Sequence, residues 1–266
     1  MGLSLNRVWH ILMARYAYPK SRECIFCGNA CARFLPYRNG LASLPALLQS
    51  LDFVGSDMEQ FSCAHCGSTD RERHLWMYMK STSFLSHLRG ARVLHFAPES
   101  LLSQKLKEQN LKSYIQADLV PTSREVVPID IENIDLPDGC IDIIIANHVL
   151  EHVSDDRKAI FEIYRVLASA GHAIIQTPFC QGLHHSWSDT GISNEEQRFN
   201  AFGQEDHVRL YGADIFDRLC QSGLVPLIKT HAECMPDRPA GRYGVNEQEP
   251  FFLFQKQSSS VDDVLS

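Results

Sequence analysis

The stretch "CIDIIIANHVLEH", residues 140–152, decides how the chain is read. Its first seven residues are nearly all apolar and β-branched, as expected of a parallel strand covered on both faces. Asn147 and His148 then end it with polar groups. DDRKAIFEIYRVL, residues 155–167, follows with Ala159, Ile160, Ile163 and Leu167 on one helical face. Gly171 leads into another strand, HAIIQTP. Upstream, RVLHF at 92–96 is a short apolar run followed by Pro98 and by LLSQKLKEQ, which has helical spacing. Residues 113–117 and 125–129 read as two more strands, ending at Asp118 and Asp130. Strand and helix in alternation predict an open, mostly parallel α/β sheet.

After Pro178 the alternation stops. Residues 180–209 are polar and without a clean period, which points to a lid or binding insertion. A helix at about 212–222 and two strands, LVPLIKT and EPFFLFQK, resume the pattern, and SSSVDDVLS reads as a frayed tail. The first 90 residues differ, being marked by cysteines. The division so read is 1–90 for an N-terminal helix and zinc-binding cap, and 91–266 for a catalytic domain with an insertion at 180–209.

Composition narrows the function classes. Apolar residues at 44% supply a substantial core, and a net charge of −7 argues against a nucleic-acid partner, because phosphate binding needs a basic face. Arg7, His10 and Arg15 interrupt the apolar residues of the first helix, so neither a signal peptide nor a membrane partner is expected. Nine cysteines, four of them in two CxxC pairs, favour a metal site in a reducing cytoplasm over a disulfide framework. The oligomeric state stays open.

Cys24-Ile-Phe-Cys27-Gly28 and Cys63-Ala-His-Cys66-Gly67 are two similar knuckles. Four thiolates from two such turns suit tetrahedral Zn²⁺, and the glycine after each pair eases the turn that aims amides at sulfur. Cys31 and His65 lie close enough to compete as ligands, and the 35 residues between the pairs make a long gap. With no open position the metal is structural, stapling a cap poor in hydrophobes.

Ligands of open α/β sheets sit outside the carboxyl ends of the strands. Here four strand ends are polar: His95 with Glu99, then Asp118, Asp130, and Asn147 with His148. Asp118 is placed to accept both hydroxyls of a ribose, and Asp130 to accept from an adenine amine while Ile131 packs on the ring. Helix capping is the plainer alternative for both aspartates.

The order VLHFAPE, YIQADL and LPDGCIDIIIANHVLEHVSDDRKAIFEIYRVLASAGHAIIQTPF resembles the class I S-adenosylmethionine-dependent methyltransferases over residues 90–256. It is most similar to bacterial members that carry a cysteine-knuckle N-terminus followed by RERHLWMY. The resemblance implies a Rossmann-like fold with a seven-stranded, mostly parallel sheet whose seventh strand is antiparallel, and S-adenosylmethionine as cofactor. The usual first motif is an acidic residue followed by glycines at alternate positions. Here His95 stands at the acidic position, and Ala97 and Glu99 stand at the first two glycine positions. The loop is therefore expected to take a different path, with Glu99 meeting the cofactor's ammonium.

Methyl transfer from a sulfonium is a direct displacement, so the protein chiefly aligns the reactants. His148, after the fourth strand, is one candidate base, or else a packing or capping residue. Glu151 and His152, one turn further on a helical face, read as structural. In GQEDHVRLYG, His207 beside Asp206 is a second candidate for acid–base work, and Arg209 and Tyr211 are candidates to hold a substrate anion. His184 and His185 lie earlier in the insertion as further substrate contacts; with His207 their spacing matches no familiar metal pattern. Arg71, Arg73 and His74 beside Trp76 and Tyr78 read as a helix packing the cap on the sheet rather than as an RNA surface. Trp76 could also wall the substrate pocket. The expected function is methyl transfer to a small-molecule acceptor, with oxygen ahead of nitrogen. A zinc-bearing scaffold without turnover and an RNA or protein methyltransferase are the alternatives.

Overall fold

The structure, a computed structural model, describes residues 5–258; the segment read as a frayed tail lies, apart from Ser258, outside them. Seven strands form one sheet: β1 (Arg92–Phe96), β2 (Ser113–Asp118), β3 (Val126–Pro128), β4 (Ile141–Asn147), β5 (Leu167–Gln176), β6 (Leu224–Pro226) and β7 (Leu253–Lys256). Their spatial order is β6-β7-β5-β4-β1-β2-β3. The five strands from β5 to β3 run parallel, and β7 is antiparallel to both of its neighbours. This is the class I methyltransferase topology, with the reversed seventh strand expected from the sequence.

The two-residue period of each strand divides the core. Leu94, Phe96, Ile144, Ile175, Phe252 and Phe254 face one layer, which includes Ala159, Ile160 and Ile163 of helix Asp156–Val166. Val93, Ile143, Ile145, Ile174 and Phe251 face the other, where helix Asp70–Ser81 contributes Leu75, Trp76, Met77 and Met79. The helix read from 155–167 ends one residue earlier, because Leu167 already begins β5. At the far end of the sheet Arg92 grips Asp142 with two parallel bonds of 2.6 and 2.9 Å, tying β1 to β4.

Helix Asp70–Ser81 begins with a reciprocal capping box between Thr69 and Glu72 and buries most of its length. Arg73, fully buried, donates to the carbonyls of Ser68, Gln60, Tyr243 and Gly244 and lies 4.0 Å over the Phe34 ring. A planar fork of five donors is the one side chain able to meet so many carbonyls at once. Of the patch, Arg73, His74, Trp76 and Tyr78 are buried and Arg71 is half-buried. Among the described residues no helix is long and apolar enough to cross a membrane.

The insertion is partly ordered structure. Asn194 caps helix Glu195–Phe202, and Ala201, Phe202 and Leu210 pack with Leu44, Leu48 and Cys180. Residues 53–54 pair with 179–180, joining the N-terminal part to the chain just beyond β5. Together these segments roof the carboxyl end of the sheet. We expect Arg73→Ala to lower unfolding free energy by about 3–5 kcal/mol, since it strips buried carbonyls of their donor. Urea unfolding measures this, and a loss below 1 kcal/mol would mean that water replaces the guanidinium.

Candidate functional site

The cysteine knuckles come first in the chain. Gly28 and Gly67 take φ of +69° and +79°, and their amides donate back to the carbonyls of Cys24 and Cys63 at 2.8 and 2.9 Å. The two turns are near copies and bring the sulfurs of Cys24, Cys27, Cys63 and Cys66 within 4.8 Å of one another. The Cys24–Cys66 and Cys27–Cys63 separations are 3.6 and 3.9 Å. Tetrahedral Zn–S bonds of about 2.3 Å require edges of about 3.8 Å, so the four sulfurs fit the ion. Neither Cys31 nor His65 belongs to this group of four.

At the carboxyl ends of β1 to β4 lies a crevice of about 500 Å³, lined by Phe96, Ala97, Asp118, Asp130, Ile131, His148, Val149, His152 and Asp206, among others. Asp118 and Asp130 each accept a backbone amide two residues on, at 2.9 and 2.8 Å, through one carboxylate oxygen. These turns orient both carboxylates at the crevice. Ile131 is buried beneath it. Leu119, 69% exposed, also lines it, and Val120 beside it is 74% exposed.

The glycine-free loop follows its own rule. Ala97 takes φ of +45°, the left-handed conformation that the missing glycine would supply freely. Glu99 accepts from Asn147 Nδ2 and lies 3.1 Å from His95 Nε2, while His95 Nδ1 lies 2.8 Å from the Tyr114 hydroxyl. Burial would raise the Glu99 carboxyl, but the His95 ring outweighs it and holds the carboxyl below its ordinary value. The loop therefore carries an ionised carboxylate between the ends of β1 and β4.

A second, smaller cavity of about 80 Å³ adjoins the crevice. Tyr37, Leu44, Phe53, Met58 and Phe61 wall it from the N-terminal side, Phe202 and His207 from the insertion, and Arg71 and His148 supply polar atoms. Arg71 Nε is buried there without a hydrogen bond. His148 lines both cavities. It too is left-handed, at φ +57°, and its ring is enclosed by Glu151 and Glu249 at 3.2 and 3.4 Å. Burial and Arg71 oppose protonation, yet the two carboxylates raise its pKa above the ordinary histidine value. A ring so held keeps its proton to higher pH than an ordinary histidine.

Several substrate candidates sit elsewhere. The Arg209 guanidinium donates to the carbonyls of Leu150, Val153 and Ser154 at 2.6–2.9 Å, so it clamps the loop after β4 instead of a substrate anion. Tyr211 is buried, with its hydroxyl 3.0 Å from Asp156. Trp76 packs on Phe26 within the protein and lines neither cavity. His184 and His185 are exposed and line neither. Residues 148–154 form turns, not the helix expected there, because the left-handed His148 breaks the path and helix Asp156–Val166 starts only after Asp155 caps it. The cavity wall from residues 37–61 escaped sequence reading, since isolated aromatics in an irregular segment carry no period.

Residues 84–175 match the family model described as a methyltransferase domain. No curated protein matches the chain. Among solved structures the chain is similar to the 1,6-didemethyltoxoflavin-N1-methyltransferase of Burkholderia thailandensis, with 16% identity, 69% of this chain and 80% of that one covered, and a TM-score of 0.47. It is also similar to an S-adenosylmethionine-dependent methyltransferase of Mesorhizobium loti, with 16% identity, coverage of 66% and 94%, and a TM-score of 0.43.

Two outcomes follow from this geometry. Stripping the metal by chelation, or Cys66→Ser, should lower the thermal midpoint by about 10 °C, the equivalent of roughly 3 kcal/mol or more in a chain of this size. An unmoved midpoint would show that packing alone holds the knuckles. Asp118→Ala should weaken binding of S-adenosylhomocysteine about 10–100-fold without unfolding the chain, as loss of a charged acceptor predicts. Calorimetry reads this directly, and unchanged affinity would reduce Asp118 to a turn residue.

Proposed function

We propose that the chain is an S-adenosylmethionine-dependent methyltransferase acting on a small molecule, oxygen ahead of nitrogen, with a structural Zn²⁺ in its N-terminal knuckles. The observation that carries this reading is the pair of adjoining cavities: a wide crevice at the strand ends with two oriented carboxylates, and a small aromatic one that meets it at His148.

The residues present suit the cofactor. Asp118 has a carboxylate oxygen free of the turn for the ribose hydroxyls, Asp130 and Ile131 suit the adenine, and the ionised Glu99 carboxylate beside Asn147 suits an ammonium. When bound, the cofactor supplies an electrophilic methyl group on a sulfonium. The protein's own part is alignment and exclusion of water. Tyr37, Phe53, Phe61 and Phe202 confine a flat or apolar acceptor, and Arg71, with its unpartnered Nε, selects one bearing a carbonyl or anionic oxygen. His148 stands where the two cavities meet and holds its place through Glu151 and Glu249.

Titration calorimetry of the zinc-loaded protein with S-adenosylmethionine and S-adenosylhomocysteine tests the reading first. Micromolar binding of both, followed by mass-shifted products in a screen of hydroxylated aromatic acids, is the expected result. Well-folded protein that binds neither would leave a scaffold on a methyltransferase-like fold.

A further inference from the structure

We propose that Glu151, His152 and His207 form a second metal site, separate from the cysteine knuckles, that holds one divalent cation where the cofactor crevice meets the acceptor cavity. Each residue offers a ligand atom, and the three atoms lie within 4.8 Å of one another. Two imidazoles and a carboxylate form a borderline donor set with open coordination positions, suited to Mn²⁺, Fe²⁺, Co²⁺ or Zn²⁺.

The surrounding bonds prepare the ligands. His207 Nδ1 donates to the carbonyl of Phe202 at 3.1 Å, which leaves Nε2 with its lone pair. His152 Nδ1 faces Asp206 Oδ2 at 3.3 Å, which does the same for its Nε2. Carbonyl or carboxylate partners on the far nitrogen are the usual supports of a metal-bound histidine. Glu151 is 1% exposed; its Oε2 accepts from Thr177 at 2.9 Å, and its Oε1 is buried with no hydrogen bond, although His148 Nδ1 stands 3.2 Å away. That oxygen is ion-paired with the His148 ring, and a cation bound beside it would share the carboxylate. Ligand atoms on bonds of about 2.1 Å stand roughly 3 Å apart in cis, so loading draws the three inward. The side chain of His152, 31% exposed, has room to make that move.

Position gives the cation its use, and this part rests on the methyltransferase reading. His152 and Asp206 line the cofactor crevice, and His207 lines the acceptor cavity. The open positions then take a hydroxyl oxygen of the acceptor and lower its pKa. The O–H proton leaves to solvent, an O–C bond forms as the C–S bond of the sulfonium breaks, and the products are a methyl ether and the neutral thioether. The acceptor class is accordingly a phenol or polyol with an oxygen able to bind metal.

The test titrates full-length protein, already carrying one Zn²⁺ per chain, with Mn²⁺ and with Co²⁺. One further equivalent should bind with micromolar affinity. Pulsed EPR of the bound Mn²⁺ should show coupling to imidazole nitrogen, and Co²⁺ should give ligand-field bands without thiolate charge transfer. His152→Gln and His207→Gln should each weaken this binding at least 50-fold while circular dichroism reports a folded chain. Absence of a second equivalent, absence of nitrogen coupling, or wild-type affinity in both variants would each overturn the site. If His207→Gln does not fold, the more exposed His152→Gln and the wild-type EPR decide. Mn²⁺ binding without S-adenosylhomocysteine binding would overturn the methyltransferase reading and leave the metal site standing.

Discussion

Two buried carboxylates converge on one imidazole, and the architecture of the site depends on that arrangement. Glu151 and Glu249 are 1% and 2% exposed, and burial alone would raise both of their pKa values. His148 between them outweighs burial and holds both below the ordinary carboxylate range. The chain extends further: Glu249 also faces His74 Nδ1 at 3.4 Å, His74 Nε2 meets His231 at 2.9 Å, and His231 ends on the carbonyl of Arg238. One polar line thus joins the loop after β4, the approach to β7 and the buried helix of the N-terminal part. Removing a member would leave a buried charge unpaired, which is far costlier than the net worth of the line itself.

The left-handed backbone of His148 follows from the same demand. Its amide donates to the carbonyl of Gln176 at the end of β5, so the chain must turn sharply there to aim the ring between the two carboxylates. Arg209 and Tyr211 then brace the turn, through the carbonyls of Leu150, Val153 and Ser154 and through Asp156. In sequence these two looked like substrate contacts because arginine and tyrosine in a polar insertion have that chemistry. Burial against carbonyls, set by tertiary packing, carries no local pattern. The strands were legible for the opposite reason. Ile141 and Ile143 to Ala146 must be apolar whatever surrounds them, and the consecutive Val93 and Leu94 report two covered faces.

The first loop shows how a backbone rule survives without its usual residue. A left-handed residue is needed after β1, and Ala97 accepts it at a cost of about 1–2 kcal/mol. The compensation lies nearby. Glu99 is fixed from both sides by His95 and Asn147, and Glu72 reaches across from the N-terminal helix to accept the amide of Leu102 at 3.2 Å. That bond satisfies one of the free amides at the start of helix Ser100–Lys107, which its own N-cap side chain leaves unmet. A side chain from outside the sheet therefore does part of the work that glycines and a local cap do elsewhere.

This dependence runs back to the cysteine knuckles. Ser68, next to the second knuckle, gives its carbonyl to Arg73, and Arg73 also holds Tyr243 and Gly244, a few residues before Glu249. His74 follows Arg73 on the same helix and meets Glu249 directly. The knuckles, the guanidinium and the carboxylate are thus links in one short mechanical path from the N-terminal part to His148. Phe61 and Met58, which wall the smaller cavity, lie in the segment leading into the second knuckle. The knuckles can therefore shape the site without taking part in its chemistry, because the cysteine loops and the cavity wall are the same stretch of chain. Loosening the knuckles would free that wall and the Arg73 clamp together, and the cavity would lose its shape before the sheet lost its core.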